Sequence, residues 1–120
     1  MTPATDIRWQ RDAACLDYPQ EWWFPSHNTD SLQVRRAKEL CRGCLVRREC
    51  LIFAMSRRED HGIWGGLRVA SLDHYRHACC EDCGRRATLE EAAEQAIKGK
   101  ARGWTCRACW YRRIQERKRA

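Results

Sequence analysis

Apolar and polar positions alternate at helical spacing through the middle of the chain. Ala37, Leu40, Cys41 and Cys44 follow an i, i+3, i+4, i+7 pattern, and Val46, Cys50, Phe53 and Ala54 share one face of the next segment. The pattern predicts a helix running to about Leu40, an interruption at Gly43, and a second helix from about Leu45 to Arg58. Asp30 reads as the N-cap of the first helix, with Gln33 reaching back in a capping box. His61-Gly62 reads as a helix C-cap, with His61 in the capping role. Ile63-Trp64-Gly65-Gly66 reads as a turn whose glycines supply positive φ. A short third helix is expected near Ser71–His77. Thr88 to Ile97, TLEEAAEQAI, reads as a helix capped by Thr88 and Glu91 and ended by Gly99. A last, basic helix is expected from about Arg107. Residues 1–29 are rich in aromatics and turn formers and read as irregular, with one short helical turn. No strand pattern is evident, so the fold class is mainly α.

Cysteine changes that picture. Nine occur in 120 residues, as Cys15, Cys41, Cys44 and Cys50, then Cys79, Cys80, Cys83, Cys106 and Cys109. The odd count and the C-x2-C pairs suit metal binding better than a secreted disulfide scaffold. The first residues, MTPATDIRWQRDAA, contain no apolar run, so no signal peptide is expected, and no stretch approaches membrane-spanning length. A cytoplasmic protein is the expectation. The division falls near Ala78, giving units 1–78 and 79–120.

In the first group, C-x2-C-x5-C on a helix–turn–helix is a strong ligand signal, and Cys15 is the one unused cysteine upstream. A cubane iron–sulfur cluster or a zinc ion would each accept four thiolates, and spacing does not choose between them. In the second, Cys80, Cys83, Cys106 and Cys109 form C-x2-C-x22-C-x2-C, with Gly84 suited to a knuckle turn. A structural zinc ion is expected there, stapling a helical module with too little core to fold alone. Cys79 is left over, either as a substitute for Cys80 or as a spare thiol. His74 and His77 are lesser substitutes.

Charge points the same segment toward a polyanion. Of the net +7, residues 1–78 carry +2 and residues 79–120 carry +5. Trp110 and Tyr111 would anchor the last helix, and Arg112, Arg113, Arg117, Lys118 and Arg119 would meet DNA phosphates. A second protein interface is the competing role for this module.

Cys15 after Asp12-Ala13-Ala14, the segment Trp22-Trp23-Phe24-Pro25, the C-x2-C-x5-C run and Gly62-Ile63-Trp64-Gly65-Gly66 follow one another in a telling order. Together they resemble the WhiB-like transcription factors of actinobacteria and their phages, over roughly Trp9 to His77. The resemblance implies three to four short helices around a four-iron four-sulfide (4Fe-4S) cluster held by Cys15, Cys41, Cys44 and Cys50. It implies binding to region four of the principal sigma factor, hence modulation of RNA polymerase, and a cluster that reacts with nitric oxide or oxygen. By motif, Trp9, Trp23, Phe24 and Trp64 would contact sigma, and Gly62, Gly65 and Gly66 would shape the turn. A metal module at 79–120 departs from that pattern. The rival readings are a zinc-only DNA-binding regulator and a dithiol disulfide reductase. The reductase needs a βαβ setting that the pattern lacks, and no catalytic residues are expected.

Overall fold

The computed structural model describes residues 7–25, 31–99 and 103–119. The chain is mainly helical. Three short 3-10 helices, Arg8–Asp12, Ala14–Asp17 and Gln20–Trp22, lead into α1 (Leu32–Arg42) and α2 (Arg47–Arg57). A minimal hairpin, β1 (Ile63–Trp64) and β2 (Leu67–Arg68), precedes α3 (Val69–Arg76), α4 (Leu89–Lys98) and α5 (Arg107–Arg119).

Local chemistry accounts for the element ends. The Ser31 side chain accepts from the Val34 N–H and caps α1; the expected cap, Asp30, lies outside the described residues. Helix α2 begins two residues later than the apolar pattern predicted, because Val46 is its cap and Leu45 stays in the turn. It ends at Arg58, which adopts a left-handed conformation with φ 54°, so the predicted cap at His61-Gly62 is corrected to Arg58. Gly62 serves the next turn instead. Helix α4 carries both halves of its capping box, Glu91 N–H to Thr88 Oγ1 and Thr88 N–H to the Glu91 carboxylate, and Gly99 ends it at φ 72°. Arg85 forks onto the same carboxylate and, with the Thr88 donors, holds Glu91 below the usual glutamate range.

The expected turn at Gly65-Gly66 is a two-residue antiparallel hairpin, pairing Ile63 with Arg68 and Trp64 with Leu67. Both central residues have positive φ, +57° and +87°, as a tight right-twisted hairpin demands. Space demands glycine as well. A Cβ on Gly65 would stand 2.5 Å from Leu51 Cγ, so the hairpin tip is pressed directly onto α2. The strands were not legible because two residues are too few to show alternation.

The main core joins α2, α3 and α4. Leu51, Ile52, Ala54 and Met55 meet Leu72 and Tyr75 on one side and Ala92, Ala93 and Ala96 on the other. Three alanines on one α4 face bring its backbone close to α2. The packing therefore continues across residue 78, because α4, lying between the two C-x2-C pairs, completes the core of the preceding helices. A second cluster, Trp23, Val34, Ala37, Cys41 and Ile63, sits under α1, and a third, Cys80, Trp104, Cys106 and Cys109, surrounds the second cysteine group.

Ala93 is fully buried where α4 meets the main core. Replacing it with leucine overpacks that contact. Ala93→Leu is expected to lower unfolding stability by about 1–3 kcal/mol, read by urea denaturation. An unchanged midpoint would show that α4 does not pack there.

Candidate metal centres

The first cysteine group is assembled from four local pieces. Cys15 sits in the 3-10 turn Ala14–Asp17, Cys41 in the last turn of α1, Cys44 in the connecting turn and Cys50 in the first turn of α2. All four line one cavity of about 380 Å³, together with Trp9, Trp23, Phe24, Trp64 and Gly65. N–H groups are aimed at their sulfurs. Trp23 Nε1 donates to Cys41 Sγ at 3.2 Å, and the Ala14 N–H donates to Cys44 Sγ at 3.4 Å. The hairpin supplies two more, Gly66 toward Cys41 and Gly65 toward Cys50. Burial nevertheless dominates: it pushes Cys15 and Cys41 up and Cys50 up to about 12, with neighbouring thiols adding to the rise. Burial thus disfavours the thiolate form at Cys15, Cys41 and Cys50.

The aromatic residues close around this cavity. Trp9 packs edge-on against Phe53 at 5.4 Å, and Trp64 stands against Phe24 at 5.9 Å and Phe53 at 6.0 Å. Trp64 directly precedes the glycine pair of the hairpin. It is half-buried, packs on the main core, and donates its indole N–H to the His61 carbonyl at 2.9 Å. Phe24 is also half-buried, and a Cβ on Gly62 would fall 2.6 Å from its ring. Trp23 is only 5% exposed and spends its one polar group on Cys41, a position facing the protein interior rather than a partner. Exposed apolar residues nearby include Leu16 and Tyr18, on the cavity wall, and Leu45, at 88% exposure beside Cys44.

The second group has a different geometry. The sulfurs of Cys80, Cys83, Cys106 and Cys109 all lie within 4.8 Å of one another, the one such set of metal-ligating side chains among the described residues. Cys83 Sγ and Cys106 Sγ are 3.7 Å apart. Four sulfurs at about 2.3 Å from one tetrahedral ion stand about 3.8 Å from each other. Cys15, Cys41, Cys44 and Cys50 form no such compact set.

Local hydrogen bonds prepare the second set for thiolates. The Cys106 N–H reaches Cys80 Sγ at 3.3 Å and, with the Cys83 N–H, draws the Cys80 thiol down to about 6. The Cys109 N–H lowers Cys106. Burial pushes Cys109 the other way, and Arg112 Nη2 sits 3.1 Å from its sulfur. Arg113 forks onto Asp82, fastening α5 to the first knuckle. Trp104 is buried beside the cysteines with Arg85 over its ring.

Several expected residues fall elsewhere. Cys79 is exposed, faces the His77 carbonyl and stands outside the set. His77 Nδ1 meets Arg86 and its Nε2 lies 3.6 Å from Asp73, while His74 packs against Tyr75. His61 does not cap α2; its carbonyl receives Trp64. Arg112 and Arg113, expected on phosphates, are turned toward Cys109 and Asp82. Arg117, Lys118 and Arg119 are exposed at the far end of α5. The signal for Arg112 and Arg113 was present in their spacing, since three and four residues after Cys109 is the same helix face.

The sequence model described as transcription factor WhiB matches residues 9–78, which is more than half of the chain. The chain belongs to the WhiB family of transcription factors. It is 45% identical over 67 residues to transcriptional regulator WhiB2 of Mycobacterium tuberculosis, covering 56% of this chain and 72% of that protein. It is 43% identical over 61 residues to WhiB1 of Bifidobacterium longum, covering 49% and 66%. It is 40% identical over 62 residues to WhiB of Streptomyces coelicolor, covering 52% and 68%. The WhiB match places the chain among metal-binding regulators rather than enzymes. It contains Cys15, Cys41, Cys44 and Cys50 and ends before the second cysteine set. Among the described residues no helix is long and apolar enough to cross a membrane.

The WhiB hairpin makes a direct prediction. Gly65→Ala places a methyl group against Leu51 at a backbone angle that disfavours any side chain. It is expected to cost more than about 1 kcal/mol of unfolding stability, measured by urea denaturation of the metal-free protein. Wild-type stability would refute the close approach of the hairpin to α2.

Proposed function

We propose that this WhiB protein is a regulator that holds a 4Fe-4S cluster on Cys15, Cys41, Cys44 and Cys50 and binds region four of the principal sigma factor. The observation that carries this reading is the cavity itself. Four cysteines from three elements face one space of about 380 Å³, with N–H donors directed at their sulfurs from Ala14, Trp23, Gly65 and Gly66. Such donors are how a protein tunes a thiolate-bound cluster, and a set that is not compact suits four irons better than one ion. Bound there, the cluster supplies a redox-active centre that reacts with nitric oxide or oxygen.

The residues around the cavity have separate tasks. Trp9, Phe24 and Trp64 shield the cavity from water, and Trp23 orients Cys41 through its N–H. Sigma docks on the same side through the exposed parts of Trp9, Phe24 and Trp64 together with Leu16 and Leu45. Apolar side chains left in water beside a functional cavity are the usual anchors of a protein interface. Loss of the cluster would loosen Cys15 and Cys44, which carry Leu16 and Leu45 as their neighbours, and so couple the signal to the partner.

Residues 79–120 form a module held by one zinc ion on Cys80, Cys83, Cys106 and Cys109. The support is the 3.7 Å sulfur separation and the compact set of four. The ion is structural, because all four positions are filled by protein and no open position remains. The module presents α5 to nucleic acid, for which Arg117, Lys118 and Arg119 supply the charge.

The sigma reading is tested on side chains that build no core. Leu45→Glu and Leu16→Glu are expected to weaken binding to isolated sigma region four by at least about tenfold with iron content unchanged, measured by calorimetry or pull-down. Wild-type affinity in both variants would remove this face as the docking surface.

A further inference from the structure

Helix α5 has two faces with different tasks. Cys109, Arg112 and Arg113 turn toward the metal set and Asp82. The other face carries Arg107, Trp110, Tyr111, Ile114 and Lys118, spaced i, i+3, i+4, i+7 and i+11. Trp110 is 51% exposed and Tyr111 48%, an unusual surface for two large rings on a helix with no extended packing against another element. The rings lie 5.1 Å apart at 71°, so their faces point in different directions. Arg107 sits over the Tyr111 ring at 5.7 Å. Cations therefore bracket an aromatic pair over about 16 Å of helix.

We infer that this face is a stacking platform for unpaired bases, so that α5 binds single-stranded rather than intact duplex nucleic acid. The inference rests on the nucleic-acid role assigned to α5 above and deepens it. Charge alone fits any polyanion, but the aromatic pair discriminates. A helix reading a duplex needs polar side chains that reach base edges, and neither ring supplies the paired donors and acceptors that this requires. In a closed duplex the base faces are already stacked, and an aromatic ring reaches them only by wedging the steps apart. Unpaired bases offer free π-faces to Trp110 and Tyr111, while Arg107 and Lys118 meet the phosphates on either side. The T-shaped arrangement gives successive bases separate ring faces. The metal set fixes the first turn of α5, so the platform is ordered before the strand arrives.

The test uses the full-length, metal-loaded protein and a short fluorescently labelled mixed-sequence oligonucleotide, single-stranded or annealed to its complement. Anisotropy titrations are run across a salt series. The single strand is expected to bind more tightly than the duplex. Trp110→Ala is expected to weaken the single strand at least about fivefold with the salt dependence unchanged, and Trp110→Phe to restore most of the affinity. Lys118→Ala is expected to lower the salt slope by about 0.7. Equal zinc content across variants confirms that the module is intact. Duplex binding that is as tight as single-strand binding and indifferent to Trp110→Ala would overturn the platform while leaving DNA contact by α5 in place. Absence of binding to either form would overturn both and assign the aromatic pair to a protein contact.

Discussion

Four sulfurs within 4.8 Å of one another cannot all ionise unless a cation stands among them. That constraint governs the C-terminal third of the chain. Its local core is only Cys80, Trp104, Cys106 and Cys109, with Ala87 alongside, too little apolar surface to order a knuckle and a thirteen-residue helix. The donors from Cys106, Cys83 and Cys109 favour the thiolates of Cys80 and Cys106, and burial opposes that of Cys109. A metal ion bound there would reconcile the two. The first cysteine group meets the same constraint, since burial disfavours the thiolates of Cys50, Cys41 and Cys15 and a positively charged centre would offset it.

The two groups share a scaffold. Helix α2 carries Cys50 on one side and presents Leu51, Ile52 and Met55 to α3 and α4 on the other. Helix α4 is at once the chain between the two C-x2-C pairs and a wall of the core under the first group. The glycine hairpin presses onto α2 at Leu51 and turns its backbone donors toward Cys41 and Cys50. Anything that shifts α2 is thus felt by both cysteine groups. The WhiB match ends at residue 78, yet the packing does not, so the residues beyond it belong to the physical structure of the WhiB portion.

Much of this was legible in the sequence. The cysteine groupings, both helices of the first group, the Thr88/Glu91 capping box and the Gly99 stop follow from spacing and local hydrogen bonding, and the structure reproduces them. What was missed was tertiary. Arg58 in a left-handed conformation carries no sequence signature, and so Gly62 was taken as the cap. Phe24 and Phe53, distant in sequence, bury half of Trp64. By motif Trp23 would contact sigma; in the structure it is buried and its indole N–H reaches Cys41, eighteen residues away. The alanine face of α4 was visible as a helix but not as the wall of a core, since alanine reports close approach only when its neighbour is known. Arg112 and Arg113 read as phosphate contacts by charge, and at the surface they are engaged by the Cys109 sulfur and the Asp82 carboxylate.

The central claim is that one chain holds two thiolate centres of different nuclearity. It is tested most directly by purifying the protein without oxygen and measuring iron, acid-labile sulfide and zinc per chain, with a visible spectrum. About four iron, four sulfide and one zinc are expected, with a brown chromophore that nitric oxide bleaches. About two zinc and no iron, persisting after anaerobic reconstitution with iron and sulfide, would contradict it and leave a zinc-only regulator.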